Sequence, residues 1–189
     1  MIAPTPTVRH TLPALITALL VLLLAAPGFA QTASNYVLGS GDIISISVYE
    51  EIDLSFPEMR IGDTGLINYP FLGELNVAGQ TTAQLEQLIH RGLVDGEFLI
   101  NPAITVSIVQ YRPFYINGEV ARPGSYPYEP GLTLRKAVSI AGGFTERANQ
   151  NRLTVYGEGV SQDVEPSVVE SLDTTLSPGD IVTVGERFF

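Results

Sequence analysis

The 189-residue chain contains no cysteine. That absence excludes a disulfide framework, a thiol nucleophile and a lipid-bearing cysteine behind a leader. Basic residues are scarce: 10 Lys and Arg stand against 20 Asp and Glu, a formal net charge of −10. A phosphate backbone is bound by a basic face, so nucleic acid is excluded as a partner, and docking onto anionic lipid finds no electrostatic support. Charged residues of both signs make up only 16%, too few for a disordered polyelectrolyte, whereas the 45% apolar share is enough for a packed core. The length suits one ordinary domain or two small ones.

Chemistry-bearing motifs are equally sparse. His90 is the single histidine beyond the first thirty residues, and it sits near the end of an expected helix, where a cation is favoured by the helix dipole. Gly157-x-Gly159 lacks the third glycine of a dinucleotide fingerprint, and neither a Gly-x-Ser-x-Gly elbow nor a phosphate-binding loop is present. No catalytic residue, cofactor or metal is expected. A glycosidase would need two carboxylates roughly 5–9.5 Å apart; Asp53, Glu74, Glu97, Glu119 and Glu129 are available, but no spacing singles out a pair.

What is present begins with a leader. Arg9 and His10 precede the apolar "TLPALITALLVLLLAAP" and the small-residue ending "GFA". That order is a secretory signal peptide over 1–30, with cleavage expected between Ala30 and Gln31. The apolar run, roughly fifteen residues, is short of the ~20 that span a bilayer. No later segment is long and apolar enough to form a membrane-spanning helix.

Downstream, Ile44, Ile46 and Val48 alternate with serines, as in a half-buried strand. "MRIGDTGLINYPFLGELNVAG" is broken by glycine into short apolar runs, which predicts a meander of brief strands. Thr81 and Gln84 have capping-box spacing, and Leu85, Leu88, Ile89 and Leu93 share one helical face; Gly96 is the expected stop, with Gly92 inside the helix. After Asn101-Pro102, Ile104, Val106 and Ile108 alternate again. In "FYINGEVARPGSYPY", Pro123 presets a turn angle and Gly124 is expected at positive φ, giving a tight strand-turn-strand unit whose second strand Pro127 assigns to a sheet edge. Thr133 then caps a helix carrying Leu134, Ala137, Val138 and Ala141, closed by Gly142-Gly143. "RLTVY", a hairpin around "GEGVSQDV" and "LSPGDIVTV" complete the pattern. "GSGDIISIS" and "SPGDIVTVG" echo each other, best read as two turn-plus-strand starts in which aspartate bonds its own backbone; Asp42, Asp63 and Asp180 all follow glycine at such turns. Tyr111, Phe114, Tyr115, Tyr126 and Tyr128 cluster around the strand-turn-strand unit. Packing accounts for them, although aromatic faces also stack on sugars.

The order of these motifs resembles the outer-membrane polysaccharide export family. "YVLGSGDIISISVYE", "INYPFLGELNVAGQTTAQLEQLI" and "FLINPAITVSI" resemble its export domain, and "FYINGEVARPGSYPY" with "LTLRKAVSIAGGF" resembles the soluble-ligand-binding β-grasp (SLBB) module that follows it. The resemblance implies an α+β fold: an export domain of short strands with one helix over 31–110, then a β-grasp-like module with a C-terminal strand over 111–189. Gly41, Asp42, Gly73, Pro102, Gly118, Glu119, Pro123, Gly124, Gly142 and Gly143 are the family-motif positions, expected to be structural. The family implies a non-catalytic subunit of a homo-oligomeric ring passing exopolysaccharide or capsular polysaccharide through the periplasm, associated with the outer membrane, together with an inner-membrane polysaccharide co-polymerase. Lacking the lipid-bearing cysteine and a C-terminal amphipathic helix after Phe189, the chain is expected to rely on a separate outer-membrane pore protein. A periplasmic module binding a small ligand or sugar is the alternative, and a carbohydrate-active enzyme a remote one.

Overall fold

The computed structural model describes residues 36–157, 167–169 and 171–187. The leader, Ala30 and Gln31 lie outside them, as does most of the hairpin expected around "GEGVSQDV".

The fold is α+β, with two hydrophobic cores along the chain. In the first, β1 (Ile43–Val48) lies between β2 (Phe56–Arg60) and β5 (Ile104–Gln110), both antiparallel to it. The alternation in β1 buries Ile44, Ile46 and Val48 on one face. Helix α1 (Thr82–Asp95) covers that face with Leu85, Ile89 and Leu93. Its start follows from the sequence: the Thr81 hydroxyl accepts from Gln84 N–H while the Gln84 side chain accepts from Thr81 N–H. Gly96 is the C-cap. Gly92 has its own reason, because a Cβ there would approach the Leu72 side chain to 2.8 Å.

The expected meander is only partly present. β3 (Leu66–Tyr69) and β4 (Gly73–Asn76) form a separate hairpin, while β2 turns away to pair with β1. The break lies at Gly62–Gly65, where Gly65 N–H closes on Gly62 O and Gly65 adopts φ +75°.

Tyr69, on β3, is buried and donates its hydroxyl to Leu54 O at 2.8 Å. Burial pushes its pKa up to about 12. A phenol held neutral by folding stabilises fully below its unfolded pKa of about 10 and loses that contribution as pH rises toward 12. Tyr69→Phe is therefore expected to flatten part of the alkaline fall in stability above about pH 10, while costing about 1 kcal/mol at neutral pH for the stranded carbonyl. Urea denaturation at pH 8, 10 and 11 checks both.

The second core is built on a five-stranded sheet ordered β7-β6-β10-β8-β9. β6 (Phe114–Gly118) pairs antiparallel with β7 (Gly124–Tyr126), and β7 is the edge strand, as Pro127 required. β10 (Ile181–Glu186) runs parallel to β6 and antiparallel to β8 (Ala148–Tyr156); β9 (Ser167–Val169) flanks β8. Helix α2 (Leu134–Ile140), capped by Thr133, packs Leu134, Ala137 and Val138 on Phe114, Ile116, Val182 and Val184. It ends in a Schellman closure: Gly142 N–H bonds Ser139 O and Gly143 N–H bonds Val138 O, both glycines at positive φ.

One turn assignment is corrected. Gly124 is not left-handed; the positive φ of this unit belongs to Gly118, at +79°. The chain must reverse immediately after β6, where Gly118 also lies against β10: a Cβ there would fall on the Val184 carbonyl oxygen.

Candidate functional site

A buried carboxylate pins the segment that connects the two cores. Asp42 is fully buried, which for an ionised side chain demands partners. It has them from its own turn and from Arg112, in the segment that links β5 to β6. Oδ2 accepts from Gly39 N–H at 2.9 Å and Tyr36 Oη at 2.6 Å; Oδ1 accepts from Arg112 N–H at 2.7 Å. Arg112 Nη1 completes an ion pair at 3.2 Å and donates to Tyr36 Oη at 2.7 Å. Burial, then the neighbouring Asp42 carboxylate, hold the Tyr36 hydroxyl far above the usual phenol range. The Arg112 guanidinium lies 5.8 Å from the Tyr36 ring centre, and Tyr111 meets Tyr36 and Tyr128 edge-on at 4.9 and 5.5 Å.

Local geometry makes Asp42 available for this. Gly39 to Asp42 form a turn closed by Asp42 N–H on Gly39 O, with Gly41 in its third place at φ +90°, a value that favours glycine. The echo at Ser177 to Asp180 folds alike: Asp180 N–H bonds Ser177 O, Ser177 N–H bonds Asp180 Oδ2, and Gly179 sits at φ +86°. Both aspartates bond their own turn, as expected. Asp42 additionally reaches Arg112, seventy positions away. Neither Tyr36 nor Arg112 stood out in the sequence. The one available signal was an arginine in "QYRPF", at the junction between two alternating segments.

A second group of motif positions gathers around the β6–β7 connection. Ala121 N–H bonds Gly143 O, Arg122 N–H bonds Ala141 O, and Thr145 N–H bonds Glu119 O. The Glu119 carboxylate accepts the Thr145 hydroxyl. Gly118, Glu119, Gly142 and Gly143 thus stitch a loop to a helix end, with Pro123 and Gly124 leading into β7. Gly73 ends the β3–β4 turn at φ +70°, and Pro102 lines a shallow groove with His90 and Arg91. Asp53, Glu74, Glu97 and Glu129 are exposed on four different segments.

Of the aromatic residues, Phe114 is core, Tyr126 stacks on it at 5.9 Å, and Tyr128 is half-buried with its hydroxyl on Leu176 O. Tyr115 is different. It is the register partner of Ile181, which is also paired with Tyr156, so the three form a stripe across β6, β10 and β8. They are 45%, 40% and 45% exposed. A second apolar patch lies on the surface of the first module, where the exposed Phe71 and Phe98 stack at 4.6 Å.

A joint of this kind, between a helix-covered three-stranded sheet and a β-grasp-like sheet, defines a two-module α+β protein. The sequence comparisons say which. Residues 30–109 match the family described as polysaccharide biosynthesis/export protein, and residues 113–164 match the SLBB domain. The chain belongs to the polysaccharide export family, with one SLBB module. It is 33% identical over 170 residues to the exopolysaccharide production protein ExoF of Rhizobium meliloti (strain 1021), covering 79% of this chain and 39% of that protein. It is 30% identical over 186 residues to the EPS I polysaccharide export outer membrane protein EpsA of Ralstonia nicotianae, covering 82% of this chain and 48% of that protein. The protein of the same name from Ralstonia solanacearum is 27% identical, with 49% of its length covered. The chain spans about half the length, or less, of these curated relatives.

Proposed function

We propose that this chain is a non-catalytic subunit of a conduit that exports exopolysaccharide or capsular polysaccharide. Its leader sends it across the inner membrane, it works in the periplasm in association with the outer membrane, and 31–110 and 111–189 act as its export and SLBB domains. The observation that carries this reading is the Asp42–Arg112 clamp within a chain kin to export proteins along both modules. A subunit that must hold a passage open needs its modules fixed to each other. A buried ion pair sharing a tyrosine hydroxyl contributes to that fixity by pinning the connecting segment, at Arg112, to the first module.

The subunit repeats as a homo-oligomeric ring. Ring closure requires a heterologous contact, one face meeting a different face of the next copy. The Tyr115–Ile181–Tyr156 stripe and the Phe71–Phe98 patch are two unlike apolar surfaces, one in each module, suited to such a contact. An inner-membrane polysaccharide co-polymerase delivers the polymer, and a separate outer-membrane pore protein completes the exit.

The mass of the full chain, purified alone and with its co-expressed membrane neighbours, tests this reading. A discrete multiple of the subunit mass is expected in at least the second preparation. A monomer in both removes the ring.

A further inference from the structure

Two clefts, about 430 and 300 Å³, flank the joint and share Gly41, Arg60 and Pro113. Both are of the size of small-ligand sites, which begin at roughly 300 Å³. The larger one is chemically unusual for this chain. Acidic residues outnumber basic ones 20 to 10, yet among the described residues lining this cleft the charged group is Arg60, and Asp63 faces the other cleft that Arg60 borders.

Arg60 is set in place by the fold. It ends β2 opposite Ile43, and its Nη1 donates to Gly41 O at 3.1 Å, the carbonyl presented by the left-handed turn. It makes no ion pair among the described residues, so the rest of its guanidinium fork is open to a ligand acceptor. Around it stand Gln110 and Ser125, both exposed and able to bond hydroxyls, and an apolar wall of Tyr111, Tyr126 and Pro127. The Tyr126 hydroxyl is already committed to Arg122 O at 2.7 Å, which leaves its ring as the contacting part.

A cation, two hydroxyl-bonding groups and an aromatic wall match one ligand class: a sugar ring bearing a carboxylate. We propose that this cleft binds an acidic sugar unit of the polymer, with Arg60 on its carboxylate, Gln110 and Ser125 on ring hydroxyls, and its apolar face against Tyr126. The smaller cleft carries Asp63 together with Arg60 and Arg112. The net charge of −10 keeps the grip weak, as a passage requires if cargo is to leave. This proposal rests on the export reading and names the substrate chemistry for it.

The test is titration of the ¹⁵N-labelled full chain, by nuclear magnetic resonance, with tetragalacturonate, its methyl ester and sodium acetate. Tetragalacturonate should shift the Gly41, Gln110 and Ser125 amides and the Arg60 side-chain signal. The ester, which lacks the charge, should bind about tenfold more weakly, and Arg60→Gln should weaken the acid by a similar factor, the size of one charge-assisted hydrogen bond. Arg60 is exposed and makes one hydrogen bond, so this variant keeps the fold. Equal binding of acid and ester, an indifferent Arg60→Gln, or acetate matching the oligosaccharide at equal carboxylate concentration would each overturn the site. Secretion that still depends on the chain, with no shift at the cleft, refutes the site alone; secretion that does not depend on it refutes the export reading.

Discussion

Asp42→Ala is expected to cost about 3–5 kcal/mol, the range for removing one partner from a buried ion pair. The carboxylate is fully buried and accepts from four donors: Gly39 N–H, Tyr36 Oη, Arg112 N–H and Arg112 Nη1. Its removal takes an acceptor from all four, and the Arg112 side chain, 16% exposed, cannot easily recover water. The consequence goes beyond a lower midpoint. Each module has its own hydrophobic core, so loss of the clamp is expected to split one urea transition into two. Circular dichroism and tyrosine fluorescence should then no longer coincide. Arg112→Ala should be partly redundant with Asp42→Ala, with a coupling of about 1–3 kcal/mol in the double-mutant cycle. A single transition at the wild-type midpoint for Asp42→Ala would show that the modules are joined by something else.

Gly118→Val should be at least as damaging to the second core. A β-branched residue at φ +79° is strained by about 1–3 kcal/mol from backbone conformation alone. Its Cβ would also meet the Val184 carbonyl, a backbone atom in the middle of the sheet that cannot swing aside. The parallel β6–β10 pairing has to open, and the total loss is expected to exceed about 3 kcal/mol. Gly73→Ala separates the two causes. Gly73 has φ +70° but nothing within 4 Å of a Cβ, so it should lose only about 1 kcal/mol. Hydrogen exchange should show Gly118→Val unprotecting Ile116, Val182 and Val184 while Ile44 and Leu85 stay protected. Equal losses for the two variants would mean that the close approach to Val184 does not matter.

Local structure was largely legible in the sequence, because it follows from local physics. The serine alternation around Ile44, Ile46 and Val48 fixes which side of β1 is buried. The Thr81–Gln84 pair and Thr133 identify two helix starts through donors that need an acceptor. Gly142-Gly143 identifies a helix end. Strand partners were not legible. Periodicity assigns a face to Val182 and Val184, but it does not say that β10 inserts between β6 and β8, or that β2 leaves β3 for β1. Close approach was also hidden. Gly118 and Gly124 are equally glycine in the sequence, and only the fold shows that the first is the left-handed one and that it lies against β10.

The joint escaped for a related reason. Asp42 looks like a turn aspartate and is one, as Asp180 is. Its second role depends on Arg112, brought to it by the whole of the first module. Composition nevertheless carried a usable hint. In a chain with ten basic residues, an arginine set among aromatics, as Arg112 is in "QYRPFY", merits a partner.

The central claim is that polysaccharide leaves the cell by way of this subunit. Extracellular polysaccharide should be quantified from cells with the gene deleted, and again with the wild-type chain supplied in trans. The account predicts loss of extracellular polymer in the deletion and its recovery on complementation. Normal extracellular polymer in cells lacking the chain would contradict it.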